Sequence, residues 1–256
     1  MPQHLFRSAV AQYARYRTGY PATEVAALAE RLGLDRTATV ADVGCGTGQL
    51  ARPLARHAGT VIAIDPVAEM LDAGRAAAAG VGNIVWELGD ATDLERLVPP
   101  GTRAATFAAS FHWTDRAAVT RALDRVLAAD GSIVVINSTL DDEEDPDWAE
   151  AVNEVRRGYL GDDVTETYRK APETHRRVLA ASAFSNLDSV TWEWTRDLTV
   201  DAAVGLQFTY SFSTPELFGD RAAAFAAEAR EAILALHPDG LVIEPFRMEV
   251  LIAARP

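Results

Sequence analysis

The segment that most constrains the fold of this chain spans residues 40–50 and reads VADVGCGTGQL. A short hydrophobic stretch is followed by glycines at positions 44, 46 and 48, which predicts a buried strand, a glycine turn and then a helix. This order is typical of the first crossover of an α/β sheet, where the turn lines a nucleotide-sized pocket. The chain is therefore expected to build an α/β fold around such a pocket.

The spacing of the glycines excludes two common nucleotide sites. In a dinucleotide fingerprint the third glycine follows the second by three positions, which in this chain is Gln49. A phosphate-binding P-loop ends in Gly-Lys followed by Ser or Thr, whereas Gln49 and Leu50 supply neither the lysine nor the hydroxyl. The turn therefore indicates neither NAD nor a nucleoside triphosphate.

Two acids after later strands indicate a different ligand. Asp65 ends the hydrophobic stretch 61–65, where a carboxylate can bridge the two hydroxyls of a ribose. Asp90 follows the next predicted strand, 84–88, where it can accept a hydrogen bond from the exocyclic amine of an adenine. A ribose and an adenine without a phosphate cradle indicate S-adenosylmethionine, with S-adenosylhomocysteine as its product.

The composition of the chain limits the kinds of substrate, cofactor and partner that it can be expected to bind. The net charge of −13 opposes a nucleic-acid substrate, because phosphate binding needs a basic surface. The single cysteine, Cys45, excludes a disulfide framework and the three-cysteine cluster of radical S-adenosylmethionine enzymes. No apolar run approaches the length of a membrane span and no secretory signal is visible. We therefore expect a cytoplasmic protein acting on a small molecule, with no nucleic-acid or membrane partner; the sequence leaves its oligomeric state open.

The order of motifs resembles that of the class I S-adenosylmethionine-dependent methyltransferases, within the small-molecule branch related to the type 11 domain and the trans-aconitate methyltransferases. Besides residues 40–50, the matching segments are VIAIDPVAEML at 61–71, LGDATDL at 88–94, SFHWTD at 110–115 and LAADGSIVVIN at 127–137. An N-terminal segment, YARYRTGYP at 13–21, also matches, although Thr18 or Gly19 stands where the branch usually has a proline.

The resemblance implies a Rossmann-like, seven-stranded, mostly parallel sheet with an antiparallel C-terminal edge. A cofactor-binding core with an N-terminal helical cover is expected over residues 1–138. The C-terminal strands are expected at 189–199 and 239–256. The segments 139–188 and 200–238 are then expected to form a helical substrate cap.

Residues expected to contact the cofactor are carried over from the matching motifs. Arg17 or Tyr13 is a candidate for holding the methionine carboxylate, and simple helix packing is the alternative for both. Cys45 is interpreted as a small packing residue of the glycine turn rather than a nucleophile. The full predicted set is Tyr13, Arg17, Asp42, Gly44, Cys45, Gly46, Asp65, Pro66, Met70, Asp90, Ala91, Ser110 and Phe111.

Catalytic and acceptor-binding candidates are fewer. His112 follows the fourth strand at the carboxyl end of the sheet, where it is a candidate general base or, alternatively, a hydrogen-bonding group that orients a ligand. Tyr16 is a candidate for covering the methyl group. Tyr20, Trp113 and Asn137 are expected to contact the acceptor. No metal is expected.

The acceptor itself is the least constrained prediction. Seven carboxylates lie between residues 141 and 150, and their charge favours an amine or aminosugar, whereas the simpler interpretation is a solvated loop that caps a helix beginning near Trp148. The expected reaction is methyl transfer to nitrogen or oxygen of a small metabolite, in natural-product biosynthesis for example. The alternatives are methylation of a carboxylate or carbon, action on a peptide, and a non-catalytic S-adenosylmethionine-binding module.

Overall fold

The computed structural model describes residues 7–138, 145–161 and 172–256. Within them a seven-stranded sheet has the order β3-β2-β1-β4-β5-β7-β6. Strands β1 to β5 are mutually parallel, whereas β7 runs antiparallel to both β5 and β6. The strands are β1 Thr39–Val43, β2 Thr60–Asp65, β3 Ile84–Leu88, β4 Thr102–Ala108, β5 Leu127–Ser138, β6 Asn186–Thr199 and β7 Leu241–Ala254. The predicted Rossmann-like fold is confirmed.

The central strands are apolar throughout because both faces of the sheet are covered. Val40 and Val61 point into one apolar cluster, and Ala41 and Ile62 point into a second cluster on the opposite face. This two-residue alternation places apolar side chains on both faces of the sheet, where the two helical layers cover them. Because β1, β2 and β4 are parallel, their carboxyl ends meet at one edge of the sheet.

The helices divide into a sheet-covering set and a cap. The sheet-covering set is α2 Ala22–Arg31, α3 Ala51–Leu54, α4 Ala68–Ala77, α5 Leu94–Leu97, α6 Arg116–Val126 and α8 Pro172–Ala180, whereas α1 Val10–Tyr16 contacts both α4 and the cap. The cap set is α7 Asp147–Leu160, α9 Val200–Gln207, α10 Pro215–Phe218 and α11 Ala222–Leu236. None of the helices in the described ranges is long and apolar enough to cross a membrane.

Two predicted helices differ from those observed. The sequence pattern predicts a helix over residues 48–57, but α3 is only four residues long, because Gly48 has φ +79° and residues 48–50 and 55–57 form turns. The pattern also predicts a continuous helix over residues 147–181, but α7 ends at Leu160, where Gly161 follows with φ +82°. The second part of this predicted helix, α8, packs Leu179 into the same cluster as Phe107 and therefore covers the sheet rather than forming cap.

The cap rests on a long hairpin. β7 pairs with β5 only from Met248 onward, but pairs with β6 along its whole length from Leu241 to Ala254. The first half of β7 therefore extends past the parallel sheet. A third apolar cluster, which includes Trp148, Val204 and Phe225, packs the cap helices together. This arrangement brings the segment after α9 over the carboxyl edge of the sheet.

Candidate active site

The glycine turn after β1 requires glycine for two different reasons. Gly44, Gly46 and Gly48 all have positive φ, at +71°, +55° and +79°. A Cβ on Gly44 would also lie 2.5 Å from Cβ of Ser110, and one on Gly48 would lie 2.5 Å from the ring of Trp86. The turn therefore approaches β3 and the end of β4 so closely that no side chain fits between them.

Asp65 ties the end of β2 to this turn. Its Oδ2 accepts a hydrogen bond from the backbone N–H of Gly46 at 2.9 Å, and its Oδ1 accepts one from Val67 at 2.9 Å. Burial raises the pKa of the Asp65 carboxyl to about 6, and the two backbone hydrogen bonds oppose that rise. The carboxylate is held at the mouth of a cavity, where it can still accept bonds from ligand hydroxyls.

Asp42 is a buried carboxyl with one unused oxygen. It lies in β1 and is 1% exposed. Its Oδ1 accepts a hydrogen bond from Thr106 Oγ1 at 2.8 Å, whereas Oδ2 is buried without a hydrogen-bond partner among the described residues. Burial raises the pKa of this carboxyl to about 7, whereas the Thr106 hydroxyl and the nearby backbone N–H of Ala51 oppose that rise. A buried acceptor of this kind is costly unless a ligand supplies the missing donor.

A cavity opens beside the turn at the carboxyl edge of the sheet. The lining residues come from the N-terminal segment, the sheet edge and the cap. They are Tyr13, Arg17, Gly44, Gly46, Asp65, Met70, Ala108, Ala109, Ser110, His112, Trp113, Thr209, Tyr210, Ser211 and Phe212.

A second, smaller cavity lies on the other side of the same turn. Asp42, Cys45, Tyr20 and Thr18 line it, together with Arg17. The two cavities share five wall residues, namely Tyr13, Arg17, Gly44, Ala108 and Ala109. A ligand that spans both cavities therefore contacts Arg17 in the shared wall and reaches Asp42 in the smaller cavity.

Arg17 bridges the N-terminal segment and the cap. Its guanidinium lies over the rings of Tyr13 at 5.6 Å and Tyr210 at 5.1 Å, and its Nη1 lies 3.5 Å from Thr209 Oγ1. No carboxylate of the described residues lies within ion-pair distance of it. The group is thus placed to bind an anionic part of a ligand.

His112 lines the main cavity as an uncharged imidazole. Burial, and secondly the nearby Arg116 guanidinium, lower its pKa to about 4. Its ring centroid lies 4.9 Å from that of Trp113 and 6.4 Å from that of His175. Near neutral pH the ring can therefore accept a hydrogen bond or a proton.

Several predicted residues lie outside the two cavity walls. The ring of Tyr16 packs against Gly205 in the cap, because α1 turns this side chain away from the sheet edge. Phe111 is fully buried between Phe107 and His175, so it supports the cavity from behind while Trp113 lines it. Asn137 pairs with Glu249 across the β5–β7 ladder.

Asp90, the acid that is predicted to bind the adenine, forms hydrogen bonds with a residue of its own loop. Oδ1 of Asp90 accepts hydrogen bonds from the backbone N–H and the hydroxyl of Thr92 at 2.8 and 2.6 Å. Neither Pro66 nor Ala91 lines either cavity, although Ala91 packs against the second apolar cluster. Four of the seven carboxylates between residues 141 and 150 lie outside the described residues, because only positions 145 onward are described.

The cap wall at 209–212 is the part of the site that the sequence did not predict. This wall is formed by Thr209, Tyr210, Ser211 and Phe212. These residues lie close to Arg17 in the structure, although they are far from it in the sequence. The available signal was compositional: the segment 208–214 reads FTYSFST, a run of aromatic and hydroxyl side chains directly after an apolar helix. Within the described residues no cluster of three or more His, Cys, Asp or Glu side chains could hold a metal ion.

Comparison with known proteins identifies the family. The family model described as "Methyltransferase domain" matches residues 40–131. An uncharacterized methyltransferase of Mycobacterium tuberculosis is 31% identical over 207 residues, covering 81% of this chain and 76% of the relative. An uncharacterized methyltransferase-like protein of Schizosaccharomyces pombe is 26% identical over 208 residues, covering 81% of this chain and 77% of the relative.

A solved structure agrees with these relatives. A protein from Anaeromyxobacter dehalogenans, provisionally named a type II methyltransferase, superposes with a TM-score of 0.62 and 25% identity. The alignment covers 94% of this chain and 98% of that protein. These relatives are named as methyltransferases. The glycine turn and the acids at the ends of β1 and β2 are the features that predict an S-adenosylmethionine site, so the structure and the relatives indicate the same family. The chain therefore belongs to the class I S-adenosylmethionine-dependent methyltransferases.

Proposed function

We propose that this protein binds S-adenosylmethionine across the two cavities and transfers its methyl group, in the cytoplasm, to nitrogen or oxygen of a small metabolite. The observation that carries the proposal is Asp42, a buried carboxyl that lines the smaller cavity and whose Oδ2 has no hydrogen-bond partner among the described residues. A buried carboxylate oxygen suits the ammonium group of the cofactor and repels a phosphate. The net charge of −13 also supports a small-molecule acceptor rather than nucleic acid.

The residues fit the cofactor at several points. Arg17 would hold its carboxylate, Asp42 its ammonium group and Asp65 its ribose hydroxyls. Gly46 leaves the space in front of Tyr13 open, since a Cβ on Gly46 would lie 3.4 Å from the ring of Tyr13. Met70 lines the cavity on the side where the adenosine half would lie. These contacts are the proposed binding set.

The cofactor, when bound, supplies a methyl group on a positively charged sulfur. This chain contributes positioning and the exclusion of water, because the N-terminal segment and the cap wall close the cavity from two sides. His112 would accept the proton of a hydroxyl or amine acceptor, a role that its neutral state near pH 7 permits. With an acceptor that brings no proton, His112 would instead accept a hydrogen bond and orient it.

Incubation with methyl-labelled S-adenosylmethionine and a mixed panel of acceptors tests this function. The panel contains amines, aminosugars, phenols and carboxylic acids, and mass spectrometry detects transferred label. We expect at least one labelled product with the wild type and none with Asp65→Ala. Cofactor binding without label on any acceptor would contradict the proposal and favour a binding module.

A further inference from the structure

The cap wall of the main cavity contains a row of stacked groups. Arg17 lies over Tyr210 at 5.1 Å, Tyr210 stacks on Phe212 with centroids 5.3 Å apart and planes 2° apart, and Arg156 lies over Phe212 at 4.7 Å. We call these four residues the arginine–aromatic row. Arg17, Tyr210 and Phe212 line the cavity, and Arg156 lies behind Phe212 on α7.

Arg156 is a buried cation without a direct ion pair in the described residues. It is 5% exposed, and burial lowers the pKa of its guanidinium. Its Nη2 donates to Oδ1 of Asn153 at 2.6 Å, and its Nη1 lies 3.5 Å from Oε1 of Gln207. The nearest described acid, Asp145, is joined to it only through Asn153, whose Nδ2 donates to Asp145 at 3.0 Å.

A second arginine of this protein, in contrast, is neutralised by a carboxylate. Arg196 forms a half-buried ion pair with Glu244 through Nε at 3.0 Å, and the same guanidinium binds the carbonyl of Tyr16. Among the described residues, the side-chain hydrogen-bond partners of Arg156 are amide oxygens rather than a carboxylate. Burying a guanidinium with amide partners alone costs free energy, and an anion bound nearby offsets that cost.

We propose that the arginine–aromatic row makes the acceptor site selective for a carboxylate on a flat body. This inference rests on the proposed function, because it concerns the acceptor side of the same cavity. Arg17 is shared with the cofactor, so Arg156 is the residue that distinguishes acceptors. It acts through its positive field, which the low dielectric of the cap transmits across Phe212 into the cavity. The rings of Tyr210 and Phe212 supply a planar contact surface.

The direct test uses three probes that share one shape and differ in charge. Cinnamate, cinnamamide and cinnamylamine are titrated into protein saturated with S-adenosylhomocysteine, and binding is followed by ligand-observed NMR. We expect the wild type to bind cinnamate at least about tenfold more tightly than cinnamamide, and cinnamylamine most weakly. Equal binding of the three, tighter binding of the amine, or no binding of cinnamate at millimolar concentration would overturn the inference.

Variants assign the preference to one side chain. Arg156→Gln is expected to reduce the preference for cinnamate over cinnamamide to about twofold or less, and Arg156→Lys to retain most of it. Arg157→Gln is the matched control, because Arg157 is the next residue of the same helix and is exposed. An unchanged preference in a folded Arg156→Gln protein would overturn the assignment, and the wild-type probe series decides the matter if that variant does not fold.

Cofactor binding separates the two proposals. Calorimetry with S-adenosylhomocysteine is performed on each sample before the probes are added. Absence of binding in the wild type contradicts the proposed function itself. Normal binding of S-adenosylhomocysteine with no preference among the three probes contradicts the carboxylate subsite alone.

Discussion

The backbone N–H of Gly46 donates a hydrogen bond to Oδ2 of Asp65 at 2.9 Å, so the glycine turn after β1 is fastened to the end of β2. These two motifs are 19 residues apart in the chain and form one unit of the site. The second oxygen of Asp65 accepts the N–H of Val67, which begins the approach to α4. One carboxylate thus sets the shape of the turn and faces the cavity.

Replacing Asp65 by Asn is expected to weaken cofactor binding more than folding. The amide offers one acceptor oxygen where the carboxylate offers two, so either the Gly46 or the Val67 hydrogen bond is lost. We expect the affinity for S-adenosylhomocysteine to fall by roughly tenfold to a hundredfold, equivalent to about 1–3 kcal/mol. Asp72→Asn is the control, since Asp72 is exposed, pairs with Arg75 on α4 and lines neither cavity. Equal affinity in the two variants would contradict this role of Asp65.

Asp42 is expected to reduce the stability of the ligand-free protein near neutral pH. Its pKa in the folded protein is about 7, above the ordinary value of 3.8. Between these values the unfolded chain releases a proton that the folded protein keeps, so the free energy of unfolding falls as pH rises through this window. Asp42→Asn does not titrate and should be more stable than the wild type at pH 8, by roughly 1–3 kcal/mol.

The measurement for Asp42 is chemical denaturation of both proteins at pH 4 and pH 8. The stability advantage of Asp42→Asn is expected to shrink at pH 4, where the wild-type carboxyl is protonated in the folded state. The same variant should bind S-adenosylmethionine more weakly, because the amide cannot pair with an ammonium group. A variant less stable than the wild type at pH 8 would contradict the burial argument.

His112 is expected to remain uncharged throughout the physiological pH range. Its pKa is lowered to about 4, so the protonated imidazolium is populated only below that pH. NMR titration of the imidazole signals, assigned with His112→Gln, should give a midpoint near pH 4 for the wild type. Arg116→Gln should raise that midpoint, because a nearby positive charge is removed. A wild-type midpoint near 6.5 would contradict the argument that burial and the Arg116 guanidinium lower the pKa of His112.

Gly44→Ala is expected to damage the turn through both strain and collision. The added Cβ would lie 2.5 Å from Cβ of Ser110 at a residue with φ +71°. We expect a loss of roughly 2–4 kcal/mol in the free energy of unfolding. Gly80→Ala is the matched control, since Gly80 has φ +91° with nothing within 4 Å of its Cβ position. It should lose only about 1–2 kcal/mol. Equal losses would show that the contact with Ser110 is unimportant.

The sheet and the glycine-turn side of the cavity could be predicted because their signals are local. Glycine spacing and apolar runs identify the turn and the strands that follow one another, and Asp42 and Asp65 occur at fixed positions relative to them. The short α3 was not predicted, because the periodicity of residues 48–57 does not reveal that the turn uses the first three.

The cap wall could not be predicted because it forms between segments far apart in the chain. Arg17 and Thr209 are 192 positions apart, and the contact depends on the β6–β7 hairpin that carries α9 over the sheet edge. Tyr16 and Arg17 are neighbours in sequence, yet one ring packs in the cap and the other side chain faces the cavity. The two side chains point in different directions because α1 ends at Tyr16 and the backbone of Arg17 is extended.

Proton release on ligand binding tests most directly whether a positively charged cofactor enters beside Asp42 and Asp65. Their pKa values of about 7 and 6 in the free protein mean that both are partly protonated at pH 6.5. A bound cation lowers both values. Calorimetry of S-adenosylmethionine in two buffers with different ionisation enthalpies should therefore show one-to-one binding with net release of protons, and NAD should not bind. Proton uptake, absence of S-adenosylmethionine binding, or binding of NAD in its place would contradict the proposed site.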